Sequence, residues 1–135
     1  MSNTLTGTHT GTFQITSWDE SPYSESEDGA KQTHAKITQT YSGVIEGTSE
    51  LQYLMSYQPD SIALFVGFET ITATINGQSG SFVLQHNGKF EAGVASSDFS
   101  IVEKSAKGDL ANLSGTGSFK SGENGQAAYQ FNIED

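Results

Sequence analysis

No cysteine occurs in the 135 residues, which excludes disulfide frameworks, thiolate zinc sites and cysteine nucleophiles. Basic side chains are scarce: six Lys and Arg stand against sixteen Asp and Glu, a formal charge of −10. Such a charge repels phosphate backbones and anionic lipid heads, so nucleic-acid and membrane partners are not expected. No stretch approaches the roughly 18 continuous apolar residues of a membrane helix. The start, Met1-Ser2-Asn3-Thr4-Leu5, has no basic region and no apolar run. No secretory signal is expected there, and the cytoplasm is the expected compartment. Apolar residues make up only 34% and charged residues 16%. In their place stand fifteen Gly, eighteen Ser and fourteen Thr, a mixture that suits strands and turns and suits helices poorly.

No window keeps a helical period, whereas alternation with a period of two recurs between turn signals. A first run over residues 4–18 sets Phe13 and Ile15 on one face and threonines on the other. Residues 19–30, five of them acidic and broken by Pro22 and Gly29, read as a solvated loop. Further runs are expected at 33–46, 49–57, 61–75, 80–86, 89–96 and 99–103, with two more at 115–119 and 126–133. Gln58-Pro59-Asp60-Ser61 suits a type I turn. Asn76-Gly77 and Asn87-Gly88 suit hairpins, and residues 122–125 suit a last connection. Residues 108–115 fit at most one short helical turn. The 135 residues read as one domain, all-β, a single closed antiparallel barrel of about eight strands, since closure removes exposed strand edges.

The Asn76-Gly77 hairpin can be tested for register. A two-residue loop pairs Ile75 with Gln78, and a four-residue loop pairs Ile75 with Gly80. Either way Phe65, Glu69, Ile71 and Ala73 share a face with Phe82, Leu84 and His86, and Glu69 lies beside or diagonal to His86. Burying a carboxylate or an imidazole alone costs several kcal/mol, roughly, so the two are expected to pair. They are the candidate catalytic residues, Glu69 as base or charge stabiliser and His86 as its orienting or proton-donating partner. A purely structural hydrogen bond is the alternative. Gln39, Tyr53, Tyr57, Phe65, Phe82 and Leu84 are candidate ligand-lining residues. Tyr53 and Tyr57 meet Glu69 only if the Pro59 loop has an odd length. Trp18 falls on the threonine face and joins the site only if a bulge turns it inward.

Residues 61–75 are apolar on both faces, with Ile62, Leu64, Val66 and Phe68 opposite Glu69. A strand covered on one side should not look so, and a homo-oligomer, most simply a two-fold dimer, is expected to cover it. No GxGxxG, P-loop, GxSxG or HExxH motif is present. His9, His34 and His86 are too scattered for a metal set, and no metal or cofactor is expected. The acidic run Glu25-Ser26-Glu27-Asp28 is expected to be solvated. Asn112-Leu113-Ser114 matches a glycosylation acceptor that has meaning only after secretion.

Four segments together carry a resemblance: Gly11-Thr12-Phe13-Gln14-Ile15-Thr16-Ser17-Trp18-Asp19-Glu20, Tyr53-Leu54-Met55-Ser56-Tyr57, Gly80-Ser81-Phe82-Val83-Leu84-Gln85-His86-Asn87-Gly88, and Gly108-Asp109-Leu110-Ala111-Asn112-Leu113-Ser114-Gly115-Thr116-Gly117. In this order they resemble a bacterial family of small proteins placed with the allene oxide cyclase-like barrels, near the calycin-type barrels. The resemblance implies an eight-stranded barrel with a small interior cavity. By fold-level analogy it implies isomerase or cyclase chemistry on a small hydrophobic molecule. It brings no assigned reaction and no catalytic residues. Three functions compete: a barrel that binds and isomerises a small hydrophobic molecule, a non-enzymatic carrier, and a structural barrel with a filled interior. An interior under roughly 100 Å³ would favour the last, because ligand sites usually hold roughly 300–1,000 Å³.

Overall fold

Residues 6–27, 29–59, 62–121 and 126–134 are described by a computed structural model. The alternating pattern becomes nine strands: β1 (Gly7–Glu25), β2 (Lys31–Gly43), β3 (Ile45–Tyr57), β4 (Ala63–Ile75), β5 (Gln78–Glu91), β6 (Val94–Ile101), β7 (Lys107–Gly108), β8 (Ser114–Ser121) and β9 (Gln126–Glu134). All pairings are antiparallel, and the β4–β5 and β1–β9 pairs close a ring of eight strands. The short β7 lies outside that ring, beside Gly80 and Ser81 of β5. No helix occurs among the described residues.

Alternation decides which side chains fill the lumen. In β2 the residues Thr33, Ala35, Ile37, Gln39 and Tyr41 are buried. In β9 the buried set is Ala127, Tyr129, Phe131 and Ile133. The Asn76-Gly77 turn has two residues in the left-handed region (φ 50° and 80°), the geometry that Asn-Gly adopts at low cost. It therefore pairs Ile75 with Gln78.

Two expectations fail here for physical reasons. Residues 19–25 are strand, not loop, so only 26–30 connect β1 to β2. Past Gln14, strand β1 has left β9 and pairs with β2 alone. It is an edge there, and Pro22 sits at a register shift between Pro22 and Ser24, a place where a missing N–H is tolerated. Asn87-Gly88 is likewise no turn, because β5 runs through it to Glu91 and the chain reverses at Ala92-Gly93. Gly88 instead faces inward under an aromatic ring: a Cβ there would stand 2.6 Å from Phe65 Cε1. The run expected at 80–86 thus continues to Glu91 in β5, and the run expected at 89–96 is cut by the Ala92-Gly93 turn, with Val94, Ala95 and Ser96 in β6.

The segment after β6 holds two successive turns, closed by Ala111 N–H to the Gly108 carbonyl at 3.2 Å and Leu113 N–H to the Leu110 carbonyl at 3.0 Å. Leu110 and Leu113 are buried in the core cluster, and with them the segment closes one end of the barrel. The other end carries the β1–β2, β3–β4 and β5–β6 connections. Asp60 and Ser61 of the Pro59 turn, Asp28 of the acidic run, residues 1–3 with Thr4 and Leu5 of the first run, and the connection at 122–125 lie outside the described residues.

Candidate functional site

The two-residue turn makes Glu69 and His86 diagonal neighbours, with Glu69 opposite Leu84 and His86 opposite Gly67. Both are almost fully buried, at 1% and 2% exposure, and His86 Nε2 lies 2.7 Å from Glu69 Oε1. Tyr41, on β2, donates its hydroxyl to Glu69 Oε2 at 2.6 Å. His86 Nδ1 lies 2.9 Å from Ser97 Oγ on β6, and Ser97 is 3.2 Å from the Asp98 carbonyl. A Ser97 that donates to that carbonyl accepts from His86 Nδ1–H. A Ser97 that donates to Nδ1 leaves a neutral imidazole. In both arrangements each Glu69 oxygen has a hydrogen-bond partner, which is what a buried carboxyl group requires.

Aromatic rings seal this array. Tyr53, Phe99 and Phe119 pack on His86 with ring centres 5.5, 5.2 and 5.7 Å away. Gly67 makes room for one of them, since a Cβ there would meet Tyr53 Cδ1 at 2.8 Å. Burial, and then the charge of Glu69, push the Tyr41 and Tyr53 hydroxyls well above the ordinary phenol range, with the hydrogen bond to Glu69 adding to Tyr41. Both are neutral phenols at any ordinary pH. Tyr53 Oη is buried without a hydrogen-bond partner, alone in this among the described side chains.

Pro59 lies in a five-residue connection, since Tyr57 pairs with Ala63. The odd length puts Tyr53 on Glu69's face. A bulge between Ile15 and Ser17 shifts the phase of β1, so Trp18 lies opposite the inward Ile37. Trp18, Gln39, Tyr53 and Phe65 then line an apolar cleft of about 60 Å³ at the barrel mouth, together with Phe90 and Phe119. Phe82 and Leu84 lie deeper in the core, at 1% and 0% exposure. Neither they nor Glu69 and His86 line the cleft. The larger concavities, of about 460–720 Å³, are open depressions lined mainly by outward-facing residues. Among the described residues no cluster of three or more His, Asp or Glu is arranged to hold a metal ion.

Tyr57 belongs to a second polar group that the sequence reading missed. Glu20 faces the barrel mouth opposite Ala35. Its Oε2 accepts from Thr33 at 2.5 Å and Tyr57 at 2.7 Å, and its Oε1 accepts from Trp18 Nε1 at 2.9 Å. Burial raises its pKa, but the three hydrogen bonds and the Lys31 charge outweigh that and hold the carboxyl below its ordinary 4.5. A depressed carboxyl contributes stability that is complete above pH 4.5 and is lost as pH falls through the lowered folded value. Glu20→Gln is therefore expected to be less stable than the wild type at neutral pH, with the gap closing in acid. Urea unfolding at stepped pH measures it, and the fluorescence of the single Trp reports the loss of its partner. A gap that stays constant with pH would remove Glu20 as the titrating group.

The missed partners had a readable signal. Tyr41 shares the phase of Gln39, and Ser97 falls between the runs expected at 89–96 and 99–103, which β6 joins. Glu20 was hidden in an acidic, proline-containing stretch that composition alone assigns to a loop.

Residues 9–133 match the family described as "Protein of unknown function (DUF3224)". No curated protein matches the chain. Among solved structures, a crystal structure of a protein with unknown function from the DUF3224 family of Shewanella oneidensis MR-1 is similar. It is 28% identical, covers 94% of this chain and 95% of its own, and superposes with a TM-score of 0.76. The barrel and the family match agree over nearly the whole length, and the chain belongs to the DUF3224 family.

Proposed function

We propose that the protein is a non-enzymatic binding barrel that grips, at its mouth, one small uncharged end-group that carries a hydrogen-bond acceptor on an apolar frame. One observation carries this reading: the unpartnered Tyr53 hydroxyl belongs to a residue that lines an otherwise apolar cleft. A buried donor without a partner costs about 1–3 kcal/mol, and a ligand acceptor atom would recover it. Trp18 and Phe90, at 45% and 38% exposure, flank the entrance and offer flat surfaces to the rest of such a molecule. Anionic ligands are disfavoured by the −10 charge and by Glu69 behind the cleft.

About 60 Å³ is far below the roughly 300–1,000 Å³ that encloses a whole substrate. It accommodates a few heavy atoms. The lumen behind the cleft is packed with the core side chains, so the mouth alone is left for a ligand. An allene oxide cyclase-like isomerase would need a substrate atom against Glu69, whose oxygens already hold Tyr41 and His86.

Cyclohexanone, methylcyclohexane and benzoate are suitable probes, read by Trp18 fluorescence and by the shift of its indole N–H resonance. Cyclohexanone is expected to bind at millimolar concentration, methylcyclohexane more weakly, and benzoate not at all. Tyr53→Phe is expected to weaken cyclohexanone about fivefold, the worth of one neutral hydrogen bond, and to leave methylcyclohexane unchanged. No response to any probe would make the barrel a filled scaffold and overturn the reading. Glu69-dependent exchange of the cyclohexanone α-hydrogens into deuterated water would show proton transfer and overturn its non-enzymatic part.

A further inference from the structure

Strand β4 presents large apolar side chains to solvent as well as to the core: Leu64, Val66 and Phe68 are 54%, 50% and 56% exposed, and Leu54 beside them on β3 is 51% exposed. The pairing registers place these residues in a three-by-three grid of outward positions. Its ranks are Gln52–Phe68–Gln85, Leu54–Val66–Asn87 and Ser56–Leu64–Lys89. Four members are apolar, four are neutral and polar, and one is a cation. In a chain with sixteen acidic side chains, none falls on the grid.

We propose that this face binds a second copy of the chain in a two-fold dimer centred on Val66 and Leu54. Charge selects the occupant. Two molecules of net charge −10 repel each other in most orientations, whereas face to face on the grid they bring only neutral side chains and Lys89 to the centre, with the nearest carboxylates, Glu50 and Asp98, one rank or one strand outside it. A basic partner would be drawn instead to the acidic remainder of the surface, and an anionic lipid surface would repel the chain. Geometry selects the mode. Both edges of β4 are occupied, by β3 and β5, so a partner cannot add a strand and must pack sheet on sheet. A patch that meets its own copy closes after two subunits. The grid spans about 14 Å by 20 Å of sheet, the apolar centre of an interface of about 800 Å² per partner. The polar members of the grid on β3 and β5 and the flanking Glu50 and Thr70 supply the rim.

Sedimentation equilibrium over a micromolar concentration series tests this. The wild type is expected at twice 14.4 kDa, 28.8 kDa. Val66→Lys sets two like charges together at the two-fold axis and is expected to sediment at 14.4 kDa, with unchanged circular dichroism. Gln130→Lys adds the same charge to exposed β9 on another wall and is expected to remain dimeric. Mixing Val66→Lys with Val66→Glu is expected to restore the dimer. A monomeric wild type, a dimer that survives Val66→Lys, a stoichiometry other than two, or a mixture that stays monomeric would each overturn the proposal.

Discussion

Replacing Glu69 by leucine is expected to destabilise the barrel by about 3–5 kcal/mol, the cost of stripping one member from a buried charged network. Leucine is close in size, so little of this comes from a cavity. The loss arises because Tyr41 Oη and His86 Nε2, at 2.6 and 2.7 Å from the carboxyl oxygens, keep their protons and lose their acceptors. No water reaches them at 1–4% exposure. A triple variant, Glu69→Leu with His86→Phe and Tyr41→Phe, removes the carboxyl and both groups bonded to it, and leaves Ser97 its Asp98 carbonyl as acceptor. It is expected to recover most of the loss, because an apolar replacement of similar volume leaves nothing unsatisfied. Urea unfolding of the single and triple variants measures both effects. A single variant within about 1 kcal/mol of the wild type would mean that the array is not the closed network described. A triple variant no better than the single one would mean that packing, not polar satisfaction, sets the cost.

Much of this array was legible before any coordinates. Alternation with a period of two placed Glu69 and His86 on one face, and the Asn76-Gly77 turn set the phase of β4 against β5. What alternation cannot read is a change of phase within a strand. The bulge between Ile15 and Ser17 moves Trp18 from the threonine face to the mouth, and only pairing with β2 reveals it. Nor can a dipeptide tell why its glycine is there. Asn76-Gly77 is a turn because both residues adopt positive φ. Asn87-Gly88 stays within β5 because Phe65 occupies the place of a side chain at Gly88. The same two letters answer to backbone conformation in one place and to packing in the other. The acidic stretch from Asp19 to Glu25 fails for a third reason. Its strand is held on one side only, and its one inward carboxylate is satisfied by Thr33, Tyr57 and Trp18, partners that are distant in sequence or unremarkable in it.

Phe131→Ala is expected to cost about 3–5 kcal/mol, a large part of the roughly 5–15 kcal/mol that holds a typical domain together. Phe131 is 1% exposed, and its ring packs against Phe99, Tyr129 and Phe82 with centres 4.8, 5.8 and 6.1 Å away. These neighbours come from β5, β6 and β9, strands locked into the ring, so the wall cannot collapse far to refill the space. The void is lined by aromatic carbon and is expected to stay dry, as apolar cavities do. Benzene should therefore enter it and return up to about 2.7 kcal/mol at a concentration a hundredfold above its dissociation constant. The wild type should gain nothing under the same conditions, because its lumen is already occupied by these rings. Thermal unfolding with and without benzene distinguishes the two states of the barrel. If benzene stabilised the wild type as much as the variant, the lumen would hold an accessible chamber. The confinement of binding to the mouth would then fall. If only Phe131→Ala responds, a few aromatic side chains separate this filled barrel from one able to enclose a ligand, and the closed ring of eight strands serves equally well for either.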